Sequence, residues 1–398
     1  MVTEDPPSIL FIDVETSTFN KGHPFDPRNK LVSYAYVAGD NSVITFRYFT
    51  DPDFYSKLRF LAKEAGCICG FNIKFDLHWL ANIDAYPNLN CKIWDCQLAE
   101  FILSGQELRF DSLNAACERY GLPIKKDVIK EYWDAGISTE DIPRDILEEY
   151  NKWDVYITRL LYHIQQQLLS EKQKRLVELE GEDLKALAAA EMAGIKFDTA
   201  NAQRYSEESK DVLRGLYHEL HGFLPPGIPQ GCFNWDSGDH LSAFLYGGTV
   251  EFKYVSEVLQ YKSGARVGET YNRYATTFVN FPGWFAPLKG TEVKKTASDP
   301  NATTRFYQTD QPTLLQLKAK TQAAKKIIAL LLELADRKKV VEMVDSIMDK
   351  AKEKNWQDDL IHAQFNQNIV VTGRLSSSAP NLQNTPPDVD QFLVSRYE

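Results

Sequence analysis

The strongest restriction on the fold is an apolar run that ends on charge. Ile9-Leu10-Phe11-Ile12 is followed by Asp13, Val14 and Glu15. Four consecutive apolar residues read as a buried strand. Strand side chains alternate between faces, so Asp13 and Glu15 share one face. Two carboxylates this close repel each other and resist desolvation unless a cation sits between them. Such a segment needs a sheet to bury the run and an opening beside its end. Taken alone, the pair reads first as a solvated strand end.

The surrounding pattern supplies the sheet. Residues 8–15, 31–38 and 43–49 are runs rich in Ile, Val, Phe and Tyr, separated by turn residues such as Gly39-Asp40-Asn41. This predicts three consecutive strands of one sheet. Residues 66–72 and 92–94 read as further short strands, followed by helices over 75–82 and 95–104, and a long helix is expected over 144–170. A sheet with interspersed helices is an α/β domain. Beyond residue 171 the texture changes. Helical patterns cover 175–192 and 200–224, and a Pro/Gly-rich loop follows to 231. Residues 248–307 are rich in Tyr, Phe and Gly with little periodicity. A single long helix is expected over 311–352, and alternation over 362–375 reads as a strand pair.

Composition removes several classes. Of the 398 residues, 43% are apolar and 25% charged, which fits two or three folded domains and excludes a mainly disordered, collagen-like or disulfide-scaffold chain. The net charge of -10 argues against a basic coat. The charge is uneven, however. Residues 1–200 carry 22 basic and 32 acidic side chains, residues 201–398 carry 23 of each, and residues 251–350 carry 16 basic and 11 acidic. That last stretch is where a polyanion could rest. No apolar run approaches the roughly 18 residues of a membrane span, and no signal-peptide pattern opens the chain. Cys67, Cys69, Cys91, Cys96, Cys117 and Cys232 show no zinc spacing, which predicts reduced thiols and a cytoplasmic protein.

Two more motifs change the weight of the first. Asn72-Ile73-Lys74-Phe75-Asp76 follows an apolar strand and opens a helix, and Tyr150 and Asp154 lie four apart on one helix face. In this order, DxE, NxxFD and YxxxD resemble the tyrosine-bearing subclass of the DEDD superfamily of 3′→5′ exonucleases. The resemblance implies an RNase H-like α/β domain, a mixed sheet with flanking helices. In it Asp13, Glu15, Asp76 and Asp154 hold two Mg²⁺ or Mn²⁺ ions, and Tyr150 positions the attacking water. Phenols titrate near 10, so the metals rather than a tyrosine base would activate that water. The resemblance also implies that Thr16 and Asn72 contact the terminal nucleotide and that Phe19 wedges against the terminal bases. Asp95 reads first as a helix cap. Lys74, His78, Trp79 and Trp153, beside the motifs, read as packing or solvent-facing residues.

The longest motif lies near the other end. Thr372-Gly373-Arg374-Leu375-Ser376-Ser377-Ser378-Ala379-Pro380-Asn381-Leu382-Gln383-Asn384 resembles the TGRLSSxxPNLQN signature that opens the palm of family A (pol I-type) DNA polymerases. His362, Phe365 and Gln367 are similar to the segment that precedes that signature. Glu191-Met192-Ala193-Gly194-Ile195 is similar to the junction after the exonuclease domain, and Phe233-Asn234-Trp235 with residues 241–245 to another family element. This implies an exonuclease domain at 1–170, connecting helices and palm base at 171–235, a mostly α-helical thumb with an irregular insertion at 236–355, and an incomplete start of the palm at 356–398. It implies that Arg374 lies in the minor groove at the primer terminus, where the acceptors are common to all base pairs. Asn381, Gln383 and Asn384 would contact primer or template. Arg337, Lys338 and Lys339 would neutralise duplex phosphates from the tip of the thumb helices; a solvated helix face is an equal reading of that cluster.

In these polymerases the following segments bear the palm carboxylates and the fingers helix. Asp388 and Asp390 sit in a Pro-rich loop ahead of that position and do not replace them. The expectation is therefore a proofreading exonuclease acting on single-stranded 3′ ends and primer-template DNA. It would belong to a split or truncated replicative polymerase of bacteriophage type, working in the host cytoplasm, whose synthesis needs a second chain with palm and fingers. Two alternatives stay open. A free-standing exonuclease of the RNase D kind has no use for residues 372–384. A non-catalytic DNA-binding subunit has no use for four carboxylates.

Overall fold

The apolar run with its two carboxylates forms β1 (Leu10–Thr16), the middle strand of a five-stranded sheet. The structure, a computed structural model, describes residues 9–124, 128–263, 266–292 and 306–395. The sheet adds β2 (Leu31–Ala38), β3 (Thr45–Tyr48), β4 (Cys67–Gly70) and β5 (Lys92–Asp95) in the order β3-β2-β1-β4-β5. The first three strands pair antiparallel, and β4 and β5 join parallel. Both faces are covered, which is why β2 is buried at nearly every position instead of alternating. On one face Ile12 and Val14 pack with Leu58 of α1 (Phe54–Glu64) and Leu77 of α2 (Lys74–Asn82). The other face is covered by α3 (Cys96–Leu103), α4 (Leu113–Tyr120), α5 (Val128–Asp134) and α6 (Arg144–Leu168). There Phe11 packs with Leu147, Val155 and Leu161 of α6. Asp13 and Glu15 alternate with Val14, so they project toward α6.

Helix α7 (Glu171–Ala193) starts on a capping box: Ser170 and Gln173 satisfy each other's backbone donors. It passes so close to the sheet that a Cβ on Gly181 would lie 2.1 Å from the Ile93 carbonyl oxygen. Glycine is what permits this approach. Next come β6 (Ile195–Phe197) and α8 (Thr199–His221).

The chain divides into two units, Met1–Ala202 with Met343–Glu398, and Gln203–Glu342. The second unit contains α9 (Gly238–Tyr246), β7 (Gly248–Gln260), β8 (Thr270–Phe281), α10 (Gln311–Gln316) and most of α11 (Gln322–Glu353). Two expectations fail here. Residues 248–307 show little periodicity in sequence, yet β7 and β8 form a long antiparallel hairpin. At its base Val250, Phe252, Val279 and Phe281 enter the unit's core with Trp235 and Phe244. Phe278, on the opposite face of the base, is exposed, and so are Val258 and Tyr274 further out. A ladder that is wet on both faces shows no alternation of polarity, because alternation reports burial rather than pairing. The single helix expected over 311–352 is interrupted. Asp310 caps α10, which ends at an extended Leu317, and Thr321 Oγ1 accepts from Ala324 N to restart α11.

The first unit also holds the last short strands, β9 (Leu360–Ile361), β10 (Gln364–Asn366), β11 (Ser376–Ser378) and β12 (Leu393–Val394). They form two small sheets, β12-β6-β9 and β10-β11. The strand pair read over 362–375 is thus β10 with β11, whose second strand starts one residue beyond that range.

Candidate active site

Asp13 and Glu15 of β1 meet Asp154 of α6. One carboxylate oxygen from each lies within 4.8 Å of the others, and all three side chains are half-buried. Two oxygens bound to one Mg²⁺ at about 2.1 Å are at most ~4.2 Å apart. Adjacent ligands of one ion are closer still, ~3.0 Å, so inward rotation of these side chains is what would bring the all-oxygen set into coordination distance. Hard oxygen donors suit Mg²⁺ or Mn²⁺, so the residues fit the ions that the sequence implied. Tyr150 stands one helical turn before Asp154 and packs at the edge of the core.

The fourth carboxylate is placed differently. Asp76 is 4% exposed and lies outside that triangle. Its Oδ1 accepts from Val14 N at 2.9 Å. The β1–β4 pairing reaches only to Phe11 and Cys69. Beyond it the first turn of α2 brings a carboxylate to the β1 edge in place of a neighbouring strand. Burial, and then the charge of Asp13, push the Asp76 pKa well above the usual carboxylate range.

Asp95 holds the turn that presents Asp76. It accepts from Asn72 N (3.0 Å), Ile73 N (3.2 Å) and Gln97 N (2.8 Å), so it caps α3 and pins the NxxFD backbone together. Burial raises its pKa to about 6 against the pull of these donors. Asn72 is exposed with φ 55°, a left-handed conformation that Asn tolerates.

A cleft of about 410 Å³ opens beside β1, lined by Glu15, Thr16, Lys21, Gly22, Phe75 and Trp133 among others. Thr16 Oγ1 donates to the Ser17 carbonyl at 3.0 Å. Gly22 has φ +75°, and a Cβ there would lie 2.2 Å from Thr16 Oγ1, so its smallness keeps this wall in place. Phe19 is 45% exposed under the Arg28 guanidinium, 4.6 Å from the ring centre, and does not line the cleft.

Sequence reasoning missed Trp133, Asn151 and Glu191. Trp133 lies on a helix too short to show a period. Asn151 donates to Asp13 Oδ2 at 2.6 Å; its position, three before Asp154 on the same face, was the available signal. Of the packing and solvent-facing roles read for Lys74, the structure shows packing. Its Nζ donates to Glu191 Oε1 (2.8 Å) and to the Phe365 carbonyl (2.6 Å), and Phe365 N donates to the same Glu191 oxygen (2.6 Å). His78 Nε2 lies 2.8 Å from Glu191 Oε2 without hydrogen-bond alignment. Burial raises the Glu191 pKa, but His78 and Lys74 outweigh it and hold the group below the usual range. Trp79 packs as expected, its Nε1 donating to Gly22 O.

The residues assigned to duplex DNA lie elsewhere. Arg374 is exposed after Gly373, Asn381 caps its own turn by accepting from Gln383 N, and Gln383 Nε2 donates to Leu375 O. Asn384 is exposed. Arg337, Lys338 and Lys339 sit midway along α11, not at a helix tip. Arg337 pairs with Glu333, and Lys338 with Asp236 and Glu342. All six cysteines are free, and Cys69 and Cys96 approach to 3.8 Å between sulfurs. Among the described residues, no helix is long and apolar enough to cross a membrane.

The family model described as 3'-5' exonuclease matches residues 11–170, and that described as DNA polymerase family A matches residues 285–395. DNA polymerase I of Synechocystis sp. is 29% identical over 323 residues, covering 79% of this chain and 26% of that protein. DNA polymerase I of Helicobacter pylori is 24% identical over 336 residues, covering 83% and 29%. The chain thus spans about a quarter of the length of these relatives. Among solved structures, the POL domain of Pol1 from M. smegmatis, in complex with DNA primer-template and dNTP, aligns with a TM-score of 0.62. The identity is 18%, covering 97% of this chain and 54% of that one, a likeness of fold.

Proposed function

We propose that this chain, which belongs to the family A DNA polymerases and carries their 3′-5′ exonuclease domain, removes nucleotides from the 3′ end of DNA at the cleft beside β1. The observation that carries this reading is the meeting of Asp13, Glu15 and Asp154 from two separate elements, with Glu15 also lining that cleft. These residues, with Asp76 behind Asp13, would hold two Mg²⁺ or Mn²⁺ ions. Bound there, the ions supply Lewis acidity that eases ionisation of water and offsets charge on the leaving 3′-oxygen. The Tyr150 hydroxyl orients the water rather than deprotonating it. Thr16 and Lys21 meet the sugar-phosphate, and Phe75 and Trp133 form apolar walls for the terminal nucleoside. Asn72 and Phe19, both exposed, meet the terminal nucleotide and wedge against the terminal bases respectively.

Under the same reading, Arg374, Asn381, Gln383 and Asn384 contact the primer terminus, and Arg337, Lys338 and Lys339 contact duplex phosphates. The domains would be 1–170, 171–235, 236–355 and 356–398, as read from sequence. DNA synthesis would need palm carboxylates and fingers, from a second chain or from a longer form of this one.

The test is digestion of a 5′-labelled single strand by the purified chain with Mg²⁺. A ladder shortening from the 3′ end is expected. Asp154→Ala should lower the rate by ~100-fold or more, and Tyr150→Phe by less. Brisk degradation surviving Asp154→Ala would overturn the assignment.

A further inference from the structure

We propose that Asn151 is a positioning residue for Asp13, holding that carboxylate in the orientation a divalent cation requires. The proposal rests on reading the three carboxylates as a metal centre. Asn151 is fully buried on α6, between Tyr150 and Asp154. A buried amide is costly unless its groups are used, and here every one is. Nδ2 donates to the Asp13 carbonyl at 3.1 Å and to Asp13 Oδ2 at 2.6 Å. Oδ1 accepts from Ser33 Oγ at 3.2 Å. Because the amide nitrogen faces two pure acceptors, the amide can stand only one way round. Ser33 is itself fully buried and lies opposite Glu15 in the β1–β2 register. A relay Ser33–Asn151–Asp13 therefore joins β2, α6 and β1, and two of these elements bring the carboxylates together.

The chemistry of the side chain matters as much as its place. Lysine or arginine would grip Asp13 but add a positive charge where three carboxylates must attract a cation. Aspartate would present acceptor to acceptor. A neutral donor holds the carboxylate and leaves the field of the cluster intact. It grips the carboxylate through Oδ2. Hydrogen bonds of this kind to metal ligands set their orientation, and removing one costs ~10–100-fold in metal affinity.

The experiment is a Mn²⁺ titration of the whole chain without DNA, followed by calorimetry and by the electron paramagnetic resonance signal of free Mn²⁺. Asn151→Ala should weaken Mn²⁺ binding at least ~10-fold. Asn151→Asp should weaken it further, and Ser33→Ala by a smaller factor. Exonuclease activity of Asn151→Ala should recover toward wild type as Mn²⁺ is raised, with kcat changing less than the metal requirement. Thermal melts monitor folding. If Asn151→Ala does not fold, Ser33→Ala carries the test alone. Equal Mn²⁺ affinity in folded wild type and the folded variants overturns the proposal. A wild-type chain that binds no Mn²⁺ overturns the metal centre itself, and the proposal with it.

Discussion

Two clusters of charge are built in opposite ways. Asp13, Glu15 and Asp154 bring like charges together in the first unit. Arg337 and Lys338, in the second, rest against Glu333, Asp236 and Glu342. The second arrangement is self-satisfied and needs nothing from outside. The first costs Coulomb energy as it stands, and the sheet, α6 and the Asn151 relay hold it in spite of that. A cluster that the fold assembles against its own repulsion points to a cation. A cluster that the fold neutralises is weaker evidence for DNA, even though a basic stretch in the sequence had suggested it.

Three measurements would break or sharpen that contrast. The largest effect belongs to the buried pair behind the site. Glu191→Ala strands Lys74 and the Phe365 N–H without their shared acceptor, and should destabilise the first unit by ~3–5 kcal/mol in urea unfolding. A loss below ~1 kcal/mol would show that the pair is not desolvated in solution.

The next effect is on pH dependence. Burial, and then the neighbouring His78, lower the His23 pKa to about 4 from an ordinary value of 6.5. Between these values the unfolded chain binds the extra proton and the folded one does not, so stability falls as pH drops from about 6.5 to 4, by ~1–3 kcal/mol. Asp95, raised to about 6 by burial, pulls the other way in part of that window. The diagnostic quantity is thus the difference between wild type and His23→Gln. The variant should lose less stability on acidification in melts at pH 7 and pH 4.5, and parallel curves would refute the account.

The smallest effect should be in the second unit. Lys338 makes partly exposed pairs, so Lys338→Ala should change stability by less than ~1 kcal/mol. If the side chain also reaches phosphate, the salt dependence of duplex binding should fall by about one unit of slope. An unchanged slope removes Lys338 from the DNA contacts.

What the sequence disclosed follows from what burial writes into it. β1 and its two carboxylates, the α2 turn and the Tyr150–Asp154 face were legible because strand and helix periods place residues two and four apart on one face. Asp95 was legible as a cap because it precedes a helical run. Asn151 was not, because an amide beside a motif looks like any polar helix residue until Ser33 and Asp13 are seen on either side of it. The Lys74–Glu191–Phe365 contact joins residues far apart in the chain, which no local pattern can show. The β7–β8 hairpin was missed because most of it is wet on both faces.

That distant contact has one more consequence. Phe365 lies opposite Ser377 in the β10–β11 pair, and its own N–H and carbonyl are taken by Glu191 and Lys74. These are the two groups through which an outer strand would recruit another chain. A carboxylate and an ammonium thus stand in for a missing third strand, and the open border of this small sheet is sealed by side chains. The same ammonium belongs to the first residue of the helix that carries Asp76, so the seal on one sheet is also the mooring of the turn that brings Asp76 to the other.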